Sequence, residues 1–143
     1  MTKAPTKVAR ARVERLYWRA GFGALPGDVD RLARAGVNAT ARELLYPRGP
    51  QLRAAPAPTV DGQPIDPFNI YGHDVLWWLD RMVRGRHQLV ERMTLNWHDH
   101  FATSNEKVSD SRLMVNQYWA IRSRSLGSFR KLAKAMLLDH AMQ

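Results

Sequence analysis

Apolar residues recur at helical spacing along most of this chain. From Lys7 to Arg19, Val13, Leu16, Tyr17 and Ala20 fall on one side with arginines on the other, which predicts an amphipathic first helix. "AGFGALPGD" interrupts it: Gly21 and Gly23 free the backbone, and Pro26 suits the first turn of a second helix running to about Ala35. Gly36 is a natural left-handed cap for that helix, and Asn38 is the expected N-cap of a short third one, "ATARELLY", stopped by Pro47. Residues 47–67 are proline-rich and without period, and read as one long surface loop.

The clearest helical patterns follow the loop. Residues 69–84 set Val75, Trp78, Leu79 and Met82 on one stripe with Trp77 beside it, and Gly85 ends the run. Residues 87–103 place Leu89, Met93, Trp97 and Phe101 in a single row. After the polar break "TSNEKVSD", Ser109 or Asp110 caps "SRLMVNQYWAIRSRS", which carries Leu113, Val115, Tyr118, Trp119 and Ile121 and closes at Gly127. Ser128 caps a last helix with Phe129, Leu132, Ala133, Met136 and Leu137 spaced for burial. With no convincing strand and no internal repeat, the expected fold is all-α: one domain over 1–143, an irregular bundle of about six helices with a single Pro-rich loop at about 47–67.

Composition narrows the chemistry. A chain of 143 residues with 45% hydrophobic content suffices for one cored domain. It contains no cysteine, which removes disulfides, thiolate metal sites and cysteine nucleophiles together. The basic start is not followed by a hydrophobic stretch of signal-peptide length, and no run approaches the roughly 20 apolar residues of a membrane span. As given, the chain reads as cytoplasmic.

The net charge of +9 sits at the two ends. Residues 1–20, Lys3 among them, carry six basic side chains and one acidic, residues 103–143 seven and three, and the middle is neutral. Such ends suit a nucleic-acid or membrane surface, a solvated face, or a face that meets another protein segment; no nucleic-acid motif accompanies them, so nucleic acid is the least favoured partner. The five tryptophans, at 18, 77, 78, 97 and 119, read first as core and second as binding anchors.

"NWHDHF", residues 96–101, holds the candidate chemistry. Residues two apart on a helix differ by about 200°, so His98 and His100 point to nearly opposite sides and cannot chelate one metal on a regular helix. Each is therefore a separate candidate, as a ligand for a divalent transition metal or as an acid–base group. Glu91 lies two turns before His98 and is the expected supporting carboxylate, with His73 and Asp74 as further partners and Asn96, Trp97 and Asp99 as neighbouring binding groups. The ordinary reading of either histidine is a half-buried imidazole satisfied by a carbonyl or carboxylate. HExxH, GxSxG and Gly-rich phosphate loops are absent.

Four segments, "YWRAGFGALPGDVDRLARAGVNATARELLYP", "WWLDRMV", "ERMTLNWHDHFATSNEKV" and "LGSFRKLAKAMLLDHAM", stand in an order and spacing that resembles the bacterial family called domain of unknown function 1800. The resemblance spans nearly the whole chain and is most specific where "RAGFG" combines with "ERMTLxWHxHF". It implies an α-helical protein of unassigned activity whose relatives are typically several times longer and often exported. Gly21, Phe22, Gly23, Trp97, His98, His100 and Phe101 match the family's signature, whereas Asp99 stands where asparagine is more usual. The family pattern continues beyond "DHAM", so the chain reads as an N-terminal portion. Its basic C-terminal helices are then a surface for a further C-terminal region or another protein, and an uncovered apolar stripe favours self-association.

The leading functional expectation is part of a metal-dependent or acid–base enzyme, with NWHDHF lining a polar pocket. The alternative is a non-catalytic helical protein-interaction module that uses the basic terminal helices.

Overall fold

The computed structural model describes residues 4–25 and 27–143, and the chain is all-α in its framework. Lys3 and Pro26, both used above, lie outside the described residues. In order the elements are α1 (Lys7–Ala20), α2 (Asp28–Ala35), α3 (Val37–Leu45), β1 (Thr59–Val60), β2 (Gln63–Pro64), α4 (His73–Arg84), α5 (Gln88–Phe101), α6 (Asn105–Val108), α7 (Ser111–Arg122), α8 (Phe129–Leu137) and a 3-10 turn, His140–Met142. There are thus eight helices among the described residues rather than about six; the polar break folds into the single turn of α6. The expectation of no strand also needs correction, because β1 and β2 pair antiparallel as a minimal hairpin inside the Pro-rich loop. No helix among the described residues is long and apolar enough to cross a membrane.

Two hydrophobic clusters organise the chain. The first packs Val13 and Tyr17 of α1 against Leu32 and Ala33 of α2 and Leu44 of α3. The second joins Ile121 of α7 to Leu132 and Met136 of α8. Helix α5 runs between them, with Leu89 on the first cluster and Trp97 and Phe101 on the second. It therefore acts as the beam that both clusters grip.

Helix ends follow the sequence signals unevenly. Gly36, at φ 89°, ends α2 and returns its N–H to the Leu32 carbonyl. It is also the N-cap of α3, so Asn38 lies inside that helix rather than capping it. Asp110 does cap α7, accepting from the N–H groups of Arg112 and Leu113.

The largest departure concerns helical phase. On α4 the buried positions are Asp74 and Arg81, while Val75 and Leu79 of the expected core stripe are each 49% exposed. Along α5 the fully buried line is Gln88, Glu91 and Thr94, with the apolar row beside it. Phe129 and Leu137, spaced for burial on α8, are also exposed, as is Trp18 on α1. The polar inward positions are occupied because each has a partner within reach.

Gln88 is one such case. Its Oε1 accepts from the Phe22 N–H at 2.8 Å, and its Nε2 donates to the Gly85 carbonyl at 2.5 Å, so one amide fastens the "AGFG" stretch to the end of α4. The start of the Pro-rich loop is pinned at the same place: Arg53 N–H donates to the Arg84 carbonyl and Arg86 N–H to the Gln51 carbonyl, each at 2.8 Å. This close approach needs Gly85. A Cβ there would stand 2.4 Å from the Arg81 carbonyl oxygen and 3.2 Å from Glu91 Cγ. Gly85→Ala should therefore lower the free energy of unfolding by about 1–3 kcal/mol, read from urea denaturation; an unchanged midpoint would contradict this packing.

Candidate functional site

Glu91 is fully buried, and three side chains from two other helices converge on it. Tyr118 of α7 donates its hydroxyl to Oε2 at 2.5 Å and Arg122 of α7 donates Nε–H to Oε1 at 2.8 Å, while a guanidinium nitrogen of Arg81 on α4 lies 3.5 Å away. Arg81 also donates Nε–H to the Tyr118 oxygen at 2.8 Å and a terminal N–H to Gln51 Oε1 at 2.8 Å. Tyr118 is thereby donor and acceptor at once. Burial, and next the Glu91 charge, push its phenol above the usual range, so it remains protonated at neutral pH and acts as a donor, not a base.

Tyr118 also forms part of the wall of a cavity of about 250 Å³ between α4, α5 and α7. Most of the lining is apolar, from Val75, Trp77, Trp78, Met114 and Val115, with polar groups from Asp74, His98, Thr103, Ser104 and Asn105. The Trp78 ring packs edge-on against both His98, at 4.8 Å between centroids, and Tyr118, at 5.2 Å. Asp74 is held by neutral donors: the Gly72 N–H at 3.1 Å, Asn105 Nδ2 at 2.9 Å and the Ser111 hydroxyl at 3.4 Å. Trp78 Nε1 and Asn105 Oδ1 are buried without a protein partner.

The His98 imidazole is pushed below the ordinary histidine pKa by burial, with the Asp99 charge opposing. It is neutral at pH 7, presenting one nitrogen as donor and one as acceptor. That is the protonation state required of a base, a proton shuttle or a ligand contact.

A family model, "Protein of unknown function (DUF1800)", matches residues 15–143. The chain belongs to this family. No curated protein and no solved structure matches it.

Within this DUF1800 chain the residues of NWHDHF part company as their spacing requires. His98 lines the cavity; His100 is exposed and stands against the rings of Trp97, Phe101 and Phe129. Trp97 donates its indole N–H to the Ser125 carbonyl at 2.9 Å, and Asn96 and Asp99 border a separate surface depression with Arg92 and Leu95. Glu91 is committed to Tyr118 and the two arginines, and the contact between it and His98 expected from their two-turn spacing is replaced by an indirect link through Tyr118 and Trp78. Asp74 shares the cavity with His98, whereas His73 faces away, accepting from the Asp66 N–H at 3.0 Å through Nδ1. Among the described residues, no group of three or more His, Asp or Glu stands close enough to hold a metal ion.

Trp78, Asn105, Tyr118, Arg81 and Arg122 were not singled out by sequence as site residues. One signal was present: Tyr118 and Arg122 are one turn apart, as are Trp77 and Arg81, each an aromatic–arginine pair on one helix face.

Two histidines set the acid side of stability. His87 is also held below its ordinary pKa, by burial and then by the Arg122 charge. A histidine depressed in the folded state penalises that state once the unfolded chain begins to bind its proton, near pH 6.5. Stability should hold above about pH 7 and fall as pH drops through about 6.5, and His98→Gln should remove part of this loss. Urea midpoints measured across that range check it; a pH dependence identical in the variant would contradict a buried neutral His98.

Proposed function

We propose that the cavity between α4, α5 and α7 is a binding site for a small, largely apolar molecule, and that His98 is its acid–base group. The supporting observation is that Trp78, Asn105, Asp74 and the neutral His98 ring all line this one largely apolar cavity.

The ligand class follows from shape and lining. About 250 Å³ lies below the roughly 300–1,000 Å³ of sites for drug-sized compounds, which suits a fragment-sized substrate. An aromatic wall selects a flat or aliphatic body, and the His98 ring calls for one polar group on it. Asp74, held by three neutral donors, orients Asn105. Glu91 is a positioning residue, acting through Tyr118.

A fragment library screened by protein-observed NMR tests this. Hits should shift the Trp78 indole N–H and the His98 ring resonances together. His98→Ala should weaken those hits about tenfold or more while leaving the unfolding midpoint at pH 7.5 little changed, because the imidazole is only half-buried, packed edge-on against Trp78. Hits that map elsewhere, or a His98→Ala chain that loses its fold, would overturn the assignment.

A further inference from the structure

Several polar side chains on the wall of the α4–α5–α7 cavity share one hydrogen-bond sense. Thr103 donates its hydroxyl to Gln117 Oε1, and the fully buried Gln117 amide is held in that orientation because its Nε2 donates to Asp139 Oδ1 at 2.9 Å. An amide oxygen can only accept, so the Thr103 hydrogen is committed inside the protein and its oxygen faces a ligand as an acceptor. Tyr118 commits its own hydrogen to Glu91, and Asn105 turns Nδ2 to Asp74 Oδ2 at 2.9 Å. A ligand seated here has to bring donors.

The charges of the lining have one sign as well. Asp74 is its only acidic side chain, no Lys or Arg lines the cavity, and among the described residues no salt bridge reaches Asp74. Arg81 and Arg122 stand outside the lining, against Glu91, and the neutral His98 ring adds no positive charge. Asp74 is only 6% exposed. Its Oδ1 accepts from the Gly72 N–H and, at 3.4 Å, from Ser111, while Oδ2 accepts from Asn105 alone. A carboxylate has room for about four donors, so Oδ2 keeps an accepting site. A buried acid held only by neutral donors gains most from a partner that carries the opposite charge.

The aromatic wall favours a cation too. The Arg81 guanidinium carbon already lies 5.4 and 5.8 Å from the Trp77 and Tyr118 ring centroids, whereas among the described residues no cation stands over Trp78. An indole face is the best of the aromatic surfaces for holding one.

We propose that the ligand of this cavity is a small organic amine bound as its ammonium ion, with Asp74 as the counter-charge, Thr103 as a further acceptor and the apolar body against the tryptophans. The assignment rests on the cavity being a ligand site, as proposed above, and narrows its ligand to one chemical class.

The test titrates the full 143-residue chain at pH 7.5, by protein-observed NMR, with two matched sets of probes. One is benzylamine, benzyl alcohol and benzoate; the other is butylamine, butanol and butyrate. The amines should move the Trp78 indole and His98 ring resonances at about tenfold lower concentration than the alcohols, and the carboxylates should leave them in place. The net charge of +9 works against this ranking, since it attracts carboxylates and repels amines, so unspecific attraction does not produce it. Asp74→Asn, with an unchanged circular dichroism spectrum, should bring the amines down to the level of the alcohols; if that variant does not fold, the ranking in the unaltered chain decides alone. Alcohols or carboxylates that bind there as tightly as the amines would overturn the amine assignment and leave the ligand site standing. An amine preference that survives in folded Asp74→Asn would overturn it equally. No shift from any of the six probes would overturn both readings.

Discussion

The Glu91 carboxylate is shut off from water, and much of this structure is arranged around that fact. An unpaired charge in such a place costs several kcal/mol, so the fold is admissible only if cations and donors reach it. Arg122 and Tyr118 arrive from α7 and Arg81 from α4, while Gln51 at the start of the Pro-rich loop takes a hydrogen bond from Arg81. One carboxylate on α5 thus sets how two helices and a loop sit against it. The approach is close enough that Gly85, at the end of α4, cannot carry a side chain without displacing a neighbour.

The cavity of the proposed site lies against the same cluster. Tyr118, held by Glu91 and Arg81, faces the cavity that His98 lines, and Trp78 packs against both. The His98 ring and the Trp78 indole are therefore carried by α5 and α4, helices joined by the buried Arg81–Glu91 pair, a rigid support of the kind the proposed site needs. Rotating α4 to bury Arg81 has a second effect, since the opposite face must then point outward and it is apolar.

Helix positions were legible in the sequence because apolar period, glycine stops and the Asp110 cap all act locally. Helical phase was not. Periodicity weighs hydrophobic residues, so on α4 it selected Val75 and Leu79, whereas the buried face is chosen by the partners of Asp74 and Arg81 on elements far along the chain. The divergence of His98 and His100 follows from helix geometry alone and is present as expected. The pairing of Glu91 with His98 was reasonable by spacing but lost to two arginines that no local pattern could bring into view. Asn38 and the small hairpin show the same limit, one displaced by Gly36 as the cap and the other too short to register as alternation.

The claim on which the rest depends is that Glu91 works as a structural clamp through Arg122 and Tyr118. A double-mutant cycle of Glu91→Gln and Arg122→Met, with unfolding free energies from urea denaturation at pH 7.5, measures it most directly. The account predicts that each single variant is strongly destabilised and that the two couple by about 2–3 kcal/mol, the double variant being far less damaged than the sum. Additive effects, with coupling within about 0.5 kcal/mol of zero, would contradict it.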